Sequence, residues 1–205
     1  MRLIDRLIKK VRSWWGLEEK EKESVASWPK IGLFAALFDR NGRLLVKRRP
    51  PNLSLAGGWD LPGGGVEAEN NAKALDERIV REELAREVME EVGIKIHLPI
   101  MPAMYPAVLG PAQGREGGTD WAFVVCVDPY AYTWKEEFYG EFRWVSPEEL
   151  QELAGGPPGN RLVSGRGKRM HRLCLKAFAA GSPNEHYRGQ AAEMLVDVLE
   201  EMTKA

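Results

Sequence analysis

Apolar residues recur along the chain with two different spacings, which predict strands in some segments and helices in others. The apolar run Ile31–Asp39, the turn signal Asn41-Gly42 and the run Arg43–Arg49 predict a two-stranded antiparallel hairpin. Three further strands are predicted at Ile94–Leu98, Trp121–Val127 and Phe142–Ser146. The pattern therefore predicts a sheet whose strands are spread along the whole middle of the chain.

Helical spacing marks the segments between and after these strands. A stretch rich in Ala, Leu, Glu and Arg predicts a helix from about Ala72 to Val92, which Gly93 ends. Pro147 is typical of the first turn of a helix, and Gln190–Met202 predicts a closing helix. The Pro- and Gly-rich segment Pro99–Gly118 is predicted to be a loop long enough to contact a substrate.

The first 17 residues have an amphipathic and basic pattern that sets them apart from the rest. Leu3, Leu7 and Val11 recur at helical spacing, with lysines and arginines between them. The favoured interpretation is a helix that caps the domain or forms a homodimer contact; peripheral membrane contact by residues 1–17 is the alternative. We expect residues 1–28 to be an N-terminal helical extension and residues 29–205 to be the main domain.

The composition is that of an ordinary globular protein. Of the 205 residues, 44% are hydrophobic, and 29 basic residues nearly balance 30 acidic ones, so no nucleic-acid partner is expected. Cys126 and Cys174 lie far apart, which favours reduced thiols over a disulfide framework. With no apolar run of the roughly 20 residues that a membrane span needs, and no secretory signal pattern, we expect a cytoplasmic protein.

Candidate chemistry is concentrated on the predicted helix 72–92. Glu87, Glu90 and Glu91 fall at i, i+3 and i+4, so their carboxylates share one face, and Glu83 extends this stripe. Carboxylate oxygens are the ligands that Mg²⁺ takes, but acidic helix faces are also common as solvated surfaces. From the glutamates alone, both interpretations stay open.

The residues around these glutamates resemble the signature of the Nudix family. That signature is Gly, five residues, Glu, seven residues, Arg-Glu, an aliphatic, any residue, Glu-Glu, any residue, Gly and an aliphatic. Its second half is matched by Arg86, Glu87, Val88, Glu90, Glu91, Gly93 and Ile94. The preceding Trp59–Gly64 and Val66-Glu67, and the later Phe142–Leu150, are also typical of members. The resemblance covers roughly residues 31–150 and implies an α/β fold: a Nudix-type α/β/α sandwich with a mixed sheet, plus the N-terminal amphipathic helix and a C-terminal helix.

The box, residues 63–94, departs from the family pattern by an insertion of eight residues. Counted from Gly64, Arg-Glu should fall at positions 78 and 79, which are Arg78 and Ile79. The isolated glutamate of the pattern is replaced by Asn70 or Arg78, depending on the direction of counting. A longer helix or a longer loop before it accommodates the extra residues.

The resemblance implies a role for each candidate site residue. Glu87, Glu90 and Glu91 would hold a metal ion, Mg²⁺ with Mn²⁺ as an alternative, together with the carbonyl of Gly63. Arg86 would orient a glutamate. A further carboxylate, as base or ligand, would come from Glu136, Glu137 or Glu141, and Glu137 is the candidate for a catalytic role.

The implied activity is hydrolysis of a phosphoanhydride bond in a nucleoside diphosphate linked to another moiety, with ADP-ribose or a nucleotide sugar as the first substrate to consider. A nucleoside triphosphate or dinucleoside polyphosphate is an alternative substrate, and a catalytically inactive nucleotide-binding regulatory module is an alternative of another class. The expected partner is a nucleotide-derived small molecule, and a homodimer is left open.

Overall fold

The architecture of the chain is known from a computed structural model. The structure describes residues 31–51, 56–65, 77–97, 104–111, 119–127, 130, 132–134, 140–157, 159–162 and 167–203. The predicted helix 1–17, residues 72–76 of the second predicted helix, and both Glu136 and Glu137 lie outside the described residues. The expected division at residues 28 and 29 therefore stays a prediction.

The described residues form nine strands and four helices. The strands are β1 (Ile31–Leu37), β2 (Leu44–Arg48), β3 (Trp59–Asp60), β4 (Gly63–Gly65), β5 (Ile94–Ile96), β6 (Met104–Pro111), β7 (Thr119–Val127), β8 (Tyr132–Trp134) and β9 (Phe142–Val145). The helices are α1 (Glu77–Val92), α2 (Pro147–Ala154), α3 (Gly167–Gly181) and α4 (Glu185–Thr203). None of these helices is both long enough and apolar enough to cross a bilayer.

The strands form three sheets, and the largest of them is mixed. Its order is β4-β1-β7-β6, in which β1 and β7 run parallel while the other neighbours run antiparallel. A second sheet has the order β3-β2-β9, and β5 pairs with β8. The mixed sheet expected from the sequence is therefore confirmed.

The predicted hairpin of β1 and β2 is wrong, although its turn is present. The Gly42 amide donates to the Asp39 carbonyl at 2.9 Å, and Phe38 and Leu44 form an isolated antiparallel bridge. Beyond that bridge the two strands enter different sheets, because both edges of β1 are occupied by β4 and β7. A strand apolar on both faces is typical of such a central position.

Strand β1 has helices on both of its faces, which gives the α/β/α layering. Leu33, Ala35 and Leu37 belong to one apolar cluster, which also contains the inner face of α1: Val80, Leu84, Val88 and Val92. Ala36 and Phe38 belong to a second cluster with α3 residues, and the Phe38 and Phe178 rings meet edge to face at 5.4 Å. The expected α/β/α arrangement is confirmed.

Several elements differ from the sequence-based expectations. Strands β3, β4 and β8 were not predicted. Part of the predicted loop Pro99–Gly118 is strand β6, which pairs with β7 along its length. Because β6 is an edge strand, its prolines need not break the ladder of the sheet. Helix α3 was not predicted. Its N-terminal half is basic, but Met170, Cys174 and Phe178 on one of its faces are buried.

Helix α2 begins where the sequence indicated. Ser146 is the N-cap, and its hydroxyl accepts from the Glu149 amide at 3.2 Å. The Glu149 carboxylate accepts from the Ser146 amide at 2.7 Å, which completes a capping box ahead of Pro147. The prediction of a helix opening at Pro147 is confirmed.

Candidate active site

The candidate site lies where the glutamate face of α1 meets the glycine strand β4. The buried stripe Val80, Leu84, Val88 and Val92 fixes the rotation of α1 against the sheet. That rotation brings Glu87 and Glu91 to the glycines of β4. Gly93, with φ +64°, ends the helix in the left-handed conformation that glycine adopts readily.

The glycines of β4 allow the backbone of this strand to approach two other elements closely. Gly63 has φ +143°, and a Cβ there would overlap the Leu33 carbonyl oxygen and lie 2.7 Å from Phe34 Cα. A Cβ on Gly64 would lie 2.6 Å from Glu87 Cδ. The space for the Glu87 carboxylate therefore exists because residue 64 has no side chain.

Arg86 joins three of the glutamates. One of its terminal nitrogens donates to Glu83 at 3.0 Å and to Glu87 at 2.7 Å, and the other donates to Glu90 at 2.9 Å. These hydrogen bonds, that to Glu83 foremost, raise the pKa of Arg86 above its ordinary value. Arg86 thus contacts three glutamates, where the resemblance implied a pair with one.

Glu91 is bound by two other elements. The Gly63 amide donates to Glu91 Oε2 at 2.7 Å, and the Lys47 ammonium of β2 contacts Glu91 Oε1. Glu91 thereby links α1 to β4 and to the second sheet. Lys47 is a site residue that the sequence analysis did not single out, although two-residue alternation places it on the buried Leu45 face of β2.

The charges of this cluster do not balance. Four carboxylates (Glu83, Glu87, Glu90, Glu91) and two cations (Arg86, Lys47) leave a net charge of −4 + 2 = −2. Burial raises the pKa of Glu87, against the opposing effect of its hydrogen bond from Arg86. Glu90 is exposed, whereas Glu83, Glu87 and Glu91 are largely buried, and buried negative charge is unfavourable unless a cation compensates it.

A divalent cation fits this donor set by charge and by chemistry. Two negative charges match one such ion, and Arg86 engages only one oxygen each of Glu87 and Glu90 among the described contacts. Within the part of the chain that the structure describes, no three His, Cys, Asp or Glu side chains are grouped closely enough to hold a metal as they stand. Binding would therefore require carboxylates to turn from Arg86 or Lys47.

The remaining candidate carboxylate in the described residues, Glu141, lies apart from this cluster. Both of its oxygens accept from Arg48, at 3.0 and 2.9 Å, on the surface. This bidentate pair gives Glu141 a structural partner. Glu137 lies outside the described residues, so its role stays a prediction.

A second ionised pair, Asp60 with Arg49, is buried near Lys47. The Arg49 guanidinium donates to Asp60 at 2.9 Å. Burial nevertheless raises the pKa of Asp60 from 3.8 to about 6, although Arg49 and Lys47 both oppose this shift.

The raised pKa of Asp60 predicts a pH-dependent effect of the Asp60→Asn substitution. Folded Asp60 holds its proton more tightly than unfolded Asp60, so its contribution to stability is greatest below pH 3.8 and is lost as the pH rises through about 6. We expect the free energy of unfolding of wild type minus that of Asp60→Asn to fall by about 3 kcal/mol across this interval. Urea unfolding of both proteins at several pH values measures this difference; a constant or rising difference contradicts it.

Three comparisons place the chain among known proteins. The NUDIX domain family model matches residues 28–164. The CTP pyrophosphohydrolase of Escherichia coli (strain K12) is 35% identical over 65 residues, which are 32% of this chain and 42% of that protein. The match thus spans about two fifths of that relative's length.

Solved structures show similarity over more of the chain, at low identity. The Escherichia coli ORF135 protein in solution is 22% identical with a TM-score of 0.49, covering 79% of this chain and 99% of that one. A NUDIX hydrolase from Nitrosomonas europaea is 15% identical with a TM-score of 0.48, covering 76% and 92%. Since the family model spans residues 28–164, which is more than half of the 205 residues, this chain belongs to the NUDIX domain family.

Proposed function

We propose that this Nudix hydrolase uses water and a divalent cation to cleave a pyrophosphate bond in a nucleotide-linked substrate. Glu87, Glu90 and Glu91, with the carbonyl of Gly63, would hold the cation. The observation that carries the proposal is the net charge of −2 on the cluster formed by α1, Arg86 and Lys47. Mg²⁺ is the expected ion, with Mn²⁺ as the alternative.

Each side chain of the cluster has a distinct part in this proposal. A bound cation would neutralise phosphate oxygens and lower the pKa of a water molecule. Arg86 holds Glu83, Glu87 and Glu90 by hydrogen bonds, and the Gly63 amide holds Glu91 by another. Glu137 is proposed as the base that accepts a proton from the attacking water.

Two classes of substrate are proposed. A nucleoside diphosphate linked to another moiety, such as ADP-ribose or a nucleotide sugar, is the hypothesis from the sequence. The partial similarity to a CTP pyrophosphohydrolase supports a nucleoside triphosphate as the second candidate. The products distinguish them, because a triphosphate gives pyrophosphate whereas a nucleotide sugar gives a sugar phosphate. Both give a nucleoside monophosphate.

An inactive nucleotide-binding module is the competing proposal. Such a module would need no cation at the glutamates. It would bind a nucleotide without releasing a hydrolysis product. The grouping of Glu83, Glu87 and Glu90 on Arg86 argues against it, because a binding module without a metal has no use for the excess negative charge.

The Glu90→Gln variant tests the proposed activity. Wild type is incubated with Mg²⁺ and a panel of nucleoside triphosphates, ADP-ribose and nucleotide sugars, and products are separated by anion-exchange chromatography. We expect Glu90→Gln to lower product formation by about 10- to 100-fold, because an amide is a poorer metal ligand than a carboxylate. Glu152→Gln, an exposed change on α2, is the matched control and should retain wild-type activity. Absence of product from every substrate, or equal rates for wild type and Glu90→Gln, contradicts the proposal.

A further inference from the structure

Lys47 occupies an unusual position for a lysine. It is the fourth residue of β2, follows three fully buried apolar residues, and its own side chain is only 9% exposed. Cross-strand pairing places it opposite Phe142 of β9, and its ammonium contacts Glu91 of α1. A buried lysine is costly unless a negative charge balances it, so the contact with Glu91 accounts for its placement.

The contact distinguishes Glu91 from the other glutamates. Both oxygens of Glu91 are bound, one by Lys47 and the other by the Gly63 amide. In the described contacts, Arg86 takes only one oxygen of Glu87 and one of Glu90. Asp60 is the other carboxylate within electrostatic reach of Lys47, but it has its own partner in Arg49.

We propose that Lys47 is a resident counter-cation of the glutamate cluster, which holds Glu91 in place and weakens metal binding there. This inference rests on the proposed function, because it presupposes that Glu91 contributes to a cation site. An ammonium in contact with a ligand oxygen repels an incoming divalent ion and draws charge from the oxygen that would bind it. Lys47 is thus a positioning residue that sets the affinity for the metal.

Binding of Mn²⁺ alone, measured by calorimetry without any nucleotide, tests the proposal. We expect Lys47→Met to bind Mn²⁺ about tenfold or more tightly than wild type, since it keeps the chain length and removes the charge. Lys47→Arg keeps the charge and should stay within about threefold of wild type. Lys95→Met, on the exposed side of β5, is the control for loss of a lysine and should bind as wild type does. Equal or weaker binding by Lys47→Met overturns the inference.

Thermal unfolding in the presence of a chelator gives a readout that does not depend on metal. Lys47→Met leaves the Glu91 carboxylate partly buried without its cation, so its Tm should fall by several degrees. Adding Glu91→Gln removes that charge, and the double variant should regain at least half of the lost Tm. No recovery in the double variant overturns the role of Lys47 as the partner of Glu91.

These outcomes separate the inference from the proposed function. A wild type that hydrolyses nucleotides with bound metal, beside a Lys47→Met protein with no gain in affinity, overturns the inference alone. If neither wild type nor Lys47→Met binds Mn²⁺, and wild type releases no product with Mg²⁺, both are overturned. If Lys47→Met does not fold, the affinity of Lys47→Arg and the Tm of the Lys47→Met/Glu91→Gln protein still decide the question.

Discussion

Replacing Glu87 by glutamine is expected to lower the rate of pyrophosphate hydrolysis by about 10²- to 10⁴-fold and to leave the fold no less stable. The two effects have one origin. Glu87 is the glutamate packed against Gly64, and burial raises its pKa, so its negative charge is unfavourable for the metal-free fold. In the proposed site the same charge is required to hold the cation.

The glutamine variant keeps the size of the side chain and removes its charge. The net charge of the cluster changes from −2 to −1, and Arg86 retains its contacts with Glu83 and Glu90. We therefore expect the Tm in chelator to equal or exceed that of wild type, as is common when a functional charge is removed from a strained site.

The two measurements are kcat/KM on the best substrate of the panel and thermal unfolding with chelator. Glu152→Gln is again the control. A loss of activity accompanied by a comparable loss of metal-free stability would mean that Glu87 serves the fold, and the proposed ligand role would then be withdrawn.

The three consecutive glycines of β4 are expected to respond differently to alanine. Gly63→Ala should cost about 3 to 5 kcal/mol of the free energy of unfolding, because its Cβ would overlap the Leu33 backbone and its φ of +143° is strained for any other residue. An effect of this size is a large fraction of the stability of a typical domain.

Gly64→Ala should affect activity rather than folding. The three atoms nearest to the added Cβ all belong to the Glu87 carboxylate, which is the far end of a flexible side chain and can move away. We expect a stable protein in which Glu87 is displaced, with hydrolysis reduced at least tenfold. Gly65→Ala, with no atom within 4 Å of the new Cβ, should change neither property and is the control.

Chemical denaturation and product release on all three variants measure this series. A Gly63→Ala protein as stable as Gly65→Ala would show that β4 can move away from β1. A Gly64→Ala protein with full activity would show that the position of Glu87 against β4 is not needed for hydrolysis.

The sequence predicted the elements whose side-chain pattern reflects burial directly. The apolar run of β1, the strand β9 and the capped helix α2 follow from local periodicity and capping chemistry. The segment Arg86–Ile94 indicated the family, and the comparison with the NUDIX domain confirms it. Helix α1 is confirmed from Glu77 onward, and residues 72–76 of the prediction lie outside the described residues.

The partners of those elements depended on contacts between distant residues. Strand β6 forms because β7 offers an edge for pairing, which outweighs the low strand propensity of its prolines and glycine. The separation of β1 from β2 follows from which strands occupy the edges of β1, and no local signal records that. Helix α3 was missed although Met170, Cys174 and Phe178 recur at helical spacing, because it directly follows a Gly-, Pro- and Arg-rich stretch.

The same division holds for the site. The sequence by itself determined the glutamate face on α1, because helical spacing fixes which carboxylates are neighbours. Only the tertiary structure decided what each carboxylate contacts: Gly64 for Glu87, and Lys47 with the Gly63 amide for Glu91. Those contacts join residues up to 44 positions apart, Lys47 and Glu91, and no periodicity within one element can record such a distance.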